Sequence, residues 1–371
     1  MIEQEYQNLP KHEALKKTIS KLVKSGRYKT GDRLPSQNEM AAEYGVGHNT
    51  VREAITSLVH EGLLSRSQGK GTFVSDAAQE PLTFAVVIPH LHMENHPRRV
   101  QGYDIAPLLV KYIQQEVKRY GASMLLYIDN DDIEVERENL SLLLKRKLDG
   151  VIMLYIGEQQ NLDLLHQVQN SGVPLVLLDG APKGIQVNCV QSDNFQGAYK
   201  ATRQLIDHNY RRIVYLTSAQ DYSAVQDRAS GYNAAMTEFG LDVHVVVPRM
   251  GESKRIVQMD DPTYHAIQEL LPDLKTPFAL FASNALGLTG AWKAISEAHV
   301  DHADFALACF DEPYFDCPED VLLIKVIQSL PEISRKSVEI VMNRRGGSTE
   351  LSYVSIAPEI RMTHVRERAA A

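Results

Sequence analysis

Hydrophobic residues recur along this chain in two different rhythms. In the first 75 residues the rhythm is helical. Leu15, Ile19, Leu22 and Val23 predict a helix over about residues 11–24, and Met40, Ala41 and Tyr44 give a short second helix its apolar face. Ser36 followed by Glu39 is a capping box, so the second helix should start at Ser36; Gly45 should end it and Gly47 open a third. That third helix carries Val51, Ala54, Ile55 and Leu58 at i, i+3, i+4 and i+7, one buried stripe. Residues 63–66 and 72–74 read as two short strands. Beyond residue 82 the rhythm becomes one of continuous apolar runs, at 84–88, 123–128, 151–154, 174–178, 213–216, 243–247, 278–281 and 305–309, with a later strand at 322–327. Helical patterns fill the gaps at 105–120, 133–146, 161–170, 196–208, 226–239, 262–271 and 286–298. Apolar strands parted by helices predict parallel sheets covered on both faces. Eight such units exceed one comfortable sheet, so two sequential α/β lobes are expected. The predicted organisation is residues 1–75 as a small helical head, 76–82 as a small, polar, Pro-containing linker, and 83–371 as a two-lobed body.

The polar positions of the head carry its chemistry. Opposite the buried stripe, the third helix presents His48, Asn49, Arg52, Glu53 and Thr56. Between the two strands, Ser67-Gln68-Gly69-Lys70-Gly71 forms a flexible tip with one cation and exposed backbone N–H groups. Two short helices, a tight turn and a two-stranded tip make a winged helix-turn-helix, whose second helix fits a DNA major groove with its N-terminal residues nearest the base edges. The elements Gly31-Asp32-Arg33-Leu34-Pro35-Ser36, Gly45-Val46, Thr50-Val51-Arg52, Glu61-Gly62-Leu63 and Gly69-Lys70-Gly71-Thr72-Phe73-Val74 resemble the GntR family of bacterial transcription regulators over about residues 12–75. The chain has Gly47-His48 where that family usually has Ser-Arg, and Gln37-Asn38 where it has Glu-Arg. On this reading His48, Asn49, Thr50 and Arg52 meet bases or nearby phosphates, while Asn38, Gln68, Gly69 and Lys70 fix register on the backbone. Each of these side chains alone would pass for a solvated surface group; the spacing of the set is what points to operator DNA.

Charge sharpens the division. The chain of 371 residues has a net charge of −8. Residues 1–75 hold 11 Lys+Arg against 8 Asp+Glu and are therefore +3, which leaves −11 for the rest. That asymmetry marks a nucleic-acid module joined to something else. A head of only +3 binds DNA weakly alone, so a homodimer is expected. There is no 18-residue apolar run, and MIEQEYQNLPKHEALKK lacks the apolar core of a signal peptide. Cys189, Cys309 and Cys317 have no metal-ligand spacing and read as reduced, buried thiols. A cytoplasmic protein without membrane segment, cofactor or metal is expected.

In open parallel sheets ligands bind at the carboxyl ends of the strands. The strand-exit residues are His90 and His92, Asp129-Asn130, Tyr155, Asp179, Ser218, Asn284, Asp311 and Gln328, with Arg228 at the start of a helix. Carboxylates, amides and one guanidinium suit a polyhydroxylated neutral ligand. His90 and His92 lack a third ligand, so metal binding is set aside. Trp292 falls in a helical pattern and reads as core. Over about residues 83–365 the body resembles the lactose/galactose repressor family, itself similar to periplasmic sugar-binding proteins. The resemblance rests on Val190-Gln191-Ser192-Asp193-Asn194-Phe195-Gln196-Gly197-Ala198, Ala201, Leu205, Arg211-Arg212-Ile213, Asp227-Arg228-Ala229-Ser230-Gly231-Tyr232, Ala235-Met236, Phe310-Asp311-Glu312 and Pro358-Glu359. It implies that Arg228 and Asp311 hold sugar hydroxyls with help from Asn284 and Asp179. The full effector set expected is His90, Asp129, Tyr155, Asp179, Arg228, Asn284, Asp311 and Gln328. Two departures, Asn284-Ala285 for Asn-Asp and Thr363 for Arg, change the pocket's polarity. The pairing of such a head and body implies a pentose, L-arabinose first.

The function class that follows is a repressor whose operator affinity is set by a small sugar between the lobes. A nucleobase or sugar-phosphate co-repressor is the alternative. A sugar-processing enzyme is the remote one: Asp311-Glu312 or Asp129, Asp131 and Asp132 could be cast as acid/base pairs, but there is no phosphate loop, nucleophile elbow or GxGxxG after a strand.

Overall fold

The structure is a computed structural model describing residues 9–67, 70–75, 82–89, 105–156, 159–182, 184–217, 223–249 and 260–363. Gln68, Gly69, His90, His92 and Ser218, and most of the expected linker, lie outside the described residues. The chain divides into two compact units, one built on residues 1–82 and the other on most of 83–371.

The head contains α1 (Lys11–Lys24), α2 (Gln37–Tyr44), α3 (His48–His60), β1 (Leu64–Ser67) and β2 (Gly71–Val74). Ser36 caps α2. Its Oγ accepts from the Glu39 N–H at 3.3 Å, and the Glu39 carboxylate accepts from the Ser36 N–H at 2.7 Å, so both halves of the capping box form. Gly45 leaves α2 with φ 64°, a left-handed turn that Gly adopts at no steric cost. The α3 stripe Val51, Ala54, Ile55 and Leu58 is fully buried against Leu15, Ile19 and Val23 of α1 and Leu64 and Val74 of the strands. Val51, Ile55 and Leu58 each contribute roughly 1.5–3 kcal/mol on burial. β1 and β2 pair antiparallel from Leu64↔Val74 to Ser67↔Gly71, within one residue of the expected ends.

The body holds two six-stranded sheets. The first contains β3 (Thr83–Ile88), β4 (Ser123–Ile128), β5 (Gly150–Met153), β6 (Leu175–Leu178), β7 (Asn188–Ser192) and β13 (Tyr353–Ile356), in spatial order β13-β7-β6-β5-β3-β4. The second contains β8 (Arg212–Leu216), β9 (His244–Val246), β10 (Phe278–Ala282), β11 (Phe305–Phe310), β12 (Leu322–Ile327) and β14 (Glu359–Met362), in order β14-β12-β11-β10-β8-β9. Pairing in the second sheet is parallel except for β14, which runs antiparallel to β12. Helices α4 (Ile105–Arg119), α5 (Ile133–Leu143), α6 (Leu162–Asn170), α7 (Asn194–Asp207), α8 (Ser223–Glu238), α9 (Asp260–Leu270), α10 (Ala285–Glu297) and α11 (Leu330–Arg345) connect the strands.

The lobes are not sequential, contrary to expectation. The chain leaves the first sheet after Ser192, and α7 packs Ala198, Ala201, Leu205 and Ile206 into the core of the second lobe. After Ile327 it returns. Val341 of α11 lies so close to β5 that a Cβ at Gly150 would stand 2.2 Å from its Cγ1, and β13 pairs with β7. After Ile356 it crosses again to add β14 beside β12. Three segments thus join the lobes. Two of them are stitched by the Asp193 N–H donating to the Ile356 carbonyl at 2.7 Å. A hydrophobic pattern reports which residues are buried, not in which of two similar cores.

Candidate functional site

On the head, Asn38 of α2 and His48, Asn49 and Arg52 of α3 are exposed, Thr50 is half-buried, and Lys70 at the strand tip is exposed. Since Val51 points inward, His48, Asn49 and Arg52 line the opposite, outward face of α3. Two arginines join them that the sequence reading left out. Arg66 on β1 donates from Nη2 to Thr56 Oγ1 of α3 at 3.2 Å, tying the wing to the exposed helix face. Arg33 lies beside the wing, where a Cβ at Gly71 (φ 122°) would stand 2.8 Å from its Nε. Arg66 was invisible in the sequence because its proximity to α3 arises only on folding; Arg33 stood within the quoted Gly-Asp-Arg run.

In the body, four of the expected residues come together. Asp179 follows β6 directly and Asp311 follows β11 directly. Both adopt left-handed φ, 59° and 66°, which turns each carboxylate sharply away from its strand. Arg228 is buried at 6% exposure, its guanidinium 3.9 Å from the centre of the Phe310 ring. Its Nε donates to Asn194 Oδ1 at 2.7 Å and its Nη1 to the Ser283 carbonyl at 2.7 Å. Nη2 faces Asp179 Oδ1 at 3.6 Å, an ion pair that spans the two lobes. Gln328 donates from Nε2 to both Asp311 oxygens, at 3.2 and 3.0 Å. Arg228 sits in the second turn of α8, not at its start as expected, because the helix begins at Ser223.

Burial pushes the Asp179 carboxyl above its usual range and Arg228 opposes the shift. Burial likewise pushes Asp311 up to about 6, against the pull of Arg228 and the Gln328 amide. The Asp179 side chain nonetheless keeps 36% of its surface open. This carboxylate is crowded by protein yet reachable from solvent. Around it are buried polar atoms with no hydrogen-bond partner, namely Asn194 Nδ2 (residue 1% exposed), Gln191 Oε1 (3%) and Asp179 Oδ1. Buried orphans of this kind are costly unless something else satisfies them. Further links cross the lobes here: Gln191 Nε2 to Asp227 Oδ2 at 3.5 Å, and the Ala181 N–H to Ser223 Oγ at 3.3 Å. Asn194, Gln191, Asp227 and Phe310 were quoted within motifs but not picked as site residues.

Of the other expected residues, Asn284 borders this cluster, while Tyr155 and Asp129 lie away from it. Asn284 caps α10, its Oδ1 accepting from the Gly287 N–H at 2.8 Å, one residue from the Ser283 carbonyl that Arg228 holds. Tyr155 is packed among the apolar side chains of the first lobe. Asp129 is fully buried and accepts from Asn139 Nδ2 at 2.6 Å; burial, with Glu136 and Asp131 nearby, pushes its carboxyl up to about 8. His90 lies outside the described residues. Trp292 stacks on Phe315 at 4.9 Å and 6°, in the second lobe's core, as read from the sequence. Among the described residues no group of three or more His, Cys, Asp or Glu is placed to hold a metal, and no helix is long and apolar enough to cross a membrane.

Two α/β lobes joined by three segments, with Asp179, Arg228, Asp311 and Gln328 meeting between them, share this chain with a winged helix-turn-helix. The chain belongs to the family of periplasmic binding proteins and sugar binding domain of LacI family, which matches residues 107–303, and its residues 11–74 match the bacterial regulatory proteins, gntR family. It is similar to an arabinose metabolism transcriptional repressor of Geobacillus stearothermophilus, at 28% identity over 229 residues, 60% of each chain. It is also similar to the HTH-type transcriptional repressor PurR of Pasteurella multocida (strain Pm70), at 24% identity over 68% of this chain and 74% of that one. The fold matches transcription regulator CcpA of Lactococcus lactis with a TM-score of 0.63 and 17% identity, covering 77% of this chain and 100% of that one. These relatives are transcription regulators, not enzymes. The alignment spans only 60% of the arabinose repressor's length.

Proposed function

We propose that this protein is a transcriptional repressor that binds operator DNA through α3 and its wing and releases it in response to a small, neutral, polyhydroxylated effector in the recess between the lobes. The observation that carries the DNA reading is the exposed face of α3. Asn49 and Arg52 have no role in the head's own packing and can meet base edges, while Arg66, Lys70 and Arg33 stand where phosphates would pass. Gln68 and Gly69 complete the tip in this reading.

For the effector, the charge of the recess decides. Asp179 and Asp311 face one guanidinium, so a phosphate dianion would meet more carboxylate than cation. Sugar hydroxyls both donate and accept, and so suit carboxylates, Gln328 and the orphaned Asn194 and Gln191 atoms together. L-arabinose is the first choice, in line with the arabinose repressor relatives. The PurR relatives favour a nucleobase as the second. Two heads on one palindromic site require a homodimer.

The test is fluorescence anisotropy with DNA from upstream of the protein's own gene, against a panel of pentoses, hexoses, sugar phosphates and nucleobases. Specific binding released by a neutral sugar is expected, and Arg52→Ala should abolish specific binding while sparing sugar binding. Affinity no greater than for random DNA would overturn the DNA reading. Release by a phosphate ester alone, or tightening by a nucleobase, would overturn the effector reading.

A further inference from the structure

A short chain of hydrogen bonds runs from one crossover segment into the recess. Ser192, the last residue of β7, is fully buried, and its Oγ donates to Gln328 Oε1 at 2.7 Å. Gln328 stands one residue past β12 at 6% exposure, and its Nε2 donates to both oxygens of Asp311. Ser192 belongs to the first sheet, Asp311 to the second, and Ser192 and Gln328 flank two of the three segments that join the lobes.

The chemistry of the amide makes this chain directional. Gln328 has one donor end and one acceptor end. Reversed, it would set Oε1 against two carboxylate oxygens. In the observed orientation Oε1 must find a donor inside the protein, and the Ser192 hydroxyl is that donor. Without it, a buried acceptor is stranded, and the amide is drawn to turn away from Asp311.

We propose that Ser192 is a positioning residue for Asp311: through the amide of Gln328 it holds the carboxylate in the orientation that receives the effector. This rests on the recess being the effector site. It also means that Asp311, in one lobe, feels the placement of β7, in the other. A change in the angle between lobes alters the Ser192–Gln328 contact first and the grip on the effector second. The other charged groups acting on Asp311 are the Arg228 guanidinium of α8 and the Asp179 carboxylate at the β6 exit.

The experiment uses the full chain with 13C-carboxyl aspartate, the Asp311 resonance being assigned with Asp311→Asn, and L-arabinose binding by calorimetry. Loss of the Gln328 N–H donors favours the protonated carboxyl. Ser192→Ala should therefore raise the proton affinity of Asp311 about tenfold and weaken L-arabinose binding about tenfold. Ser192→Thr should restore both. Gln328→Met should reproduce the change, and adding Ser192→Ala to it should add nothing, because the serine acts through the amide. An Asp311 titration unchanged in Ser192→Ala, or additive effects in the double variant, would overturn the proposal. Should Ser192→Ala not fold, Ser192→Cys, a weaker donor of similar volume, carries the same test. If the wild type binds no sugar, the effector reading fails, while the carboxyl titration still decides the role of Ser192.

Discussion

Arg228 shows how much one side chain is asked to do in the body. It holds Asn194 and the Ser283 carbonyl, lies on Phe310 and faces Asp179 across the lobes. A lysine would keep the charge but lose the planar fork and the stacked face. Arg228→Lys is expected to weaken effector binding about a hundredfold, roughly 2.7 kcal/mol, with operator binding retained; calorimetry beside anisotropy checks both. Asp129 carries a different prediction. Its carboxyl titrates at about 8 in the folded chain against an ordinary 3.8. The folded state therefore holds the proton more tightly. The stability this gives is complete below about pH 4 and is lost as pH rises towards 8, by up to about 1.4 kcal/mol per pH unit. Asp311 adds a loss of the same sign between 3.8 and about 6. Asp129→Asn, which mimics the neutral acid, should flatten the fall in urea-melt stability between pH 5 and 8. A parallel fall in both proteins would show that Asp129 is ionised throughout.

Between elements, α7 and α8 approach closely. A Cβ at Gly231 would stand 2.2 Å from the Phe195 carbonyl oxygen and 3.0 Å from the Tyr199 nitrogen, both backbone atoms that cannot swing aside. Gly231→Ala should separate the helices and lower the melting temperature by roughly 5–10 °C, as expected for overpacking of about 2–3 kcal/mol in a unit of this size; an unchanged melting temperature would show that the crossing tolerates a side chain. Elements were legible in the sequence where their signal is local. Ser36 and Glu39 announce α2 because both partners of the cap lie within four residues, and α3 shows its stripe openly. β7 was not predicted as a strand, since Asn188-Cys-Val-Gln-Ser buries polar side chains at its ends. α11 was missed for a related reason: the buried Ser334 and Ser337 interrupt its apolar face. In the recess, Asp179, Asp311 and Gln328 could be picked because strand exits are easy to find. Asn194 and Ser192 become candidates only when distant segments meet.

For the whole molecule, the proposed mechanism is a coupling between two binding events, and such coupling is reciprocal. If the sugar weakens operator binding by a given factor, operator DNA must weaken sugar binding by the same factor. Sugar titrations with and without saturating operator measure it, and equal affinities would exclude the mechanism. The three crossovers have a consequence of another kind, for the order in which the chain can fold as it is made. The first lobe begins at Thr83 but lacks α11 and β13 until residues 330–356 emerge from the ribosome. By then almost all of the second lobe, from α7 to β12, has been exposed. The segment synthesised earlier is therefore the one completed later, through contacts between residues more than 150 positions apart, such as β13 with β7. Contacts of such long range are slow to form. During that wait the unpaired edge of β7 and the uncovered face of β5 are open to other chains, so nascent protein arrested before residue 330 should be more prone to aggregate than the finished molecule.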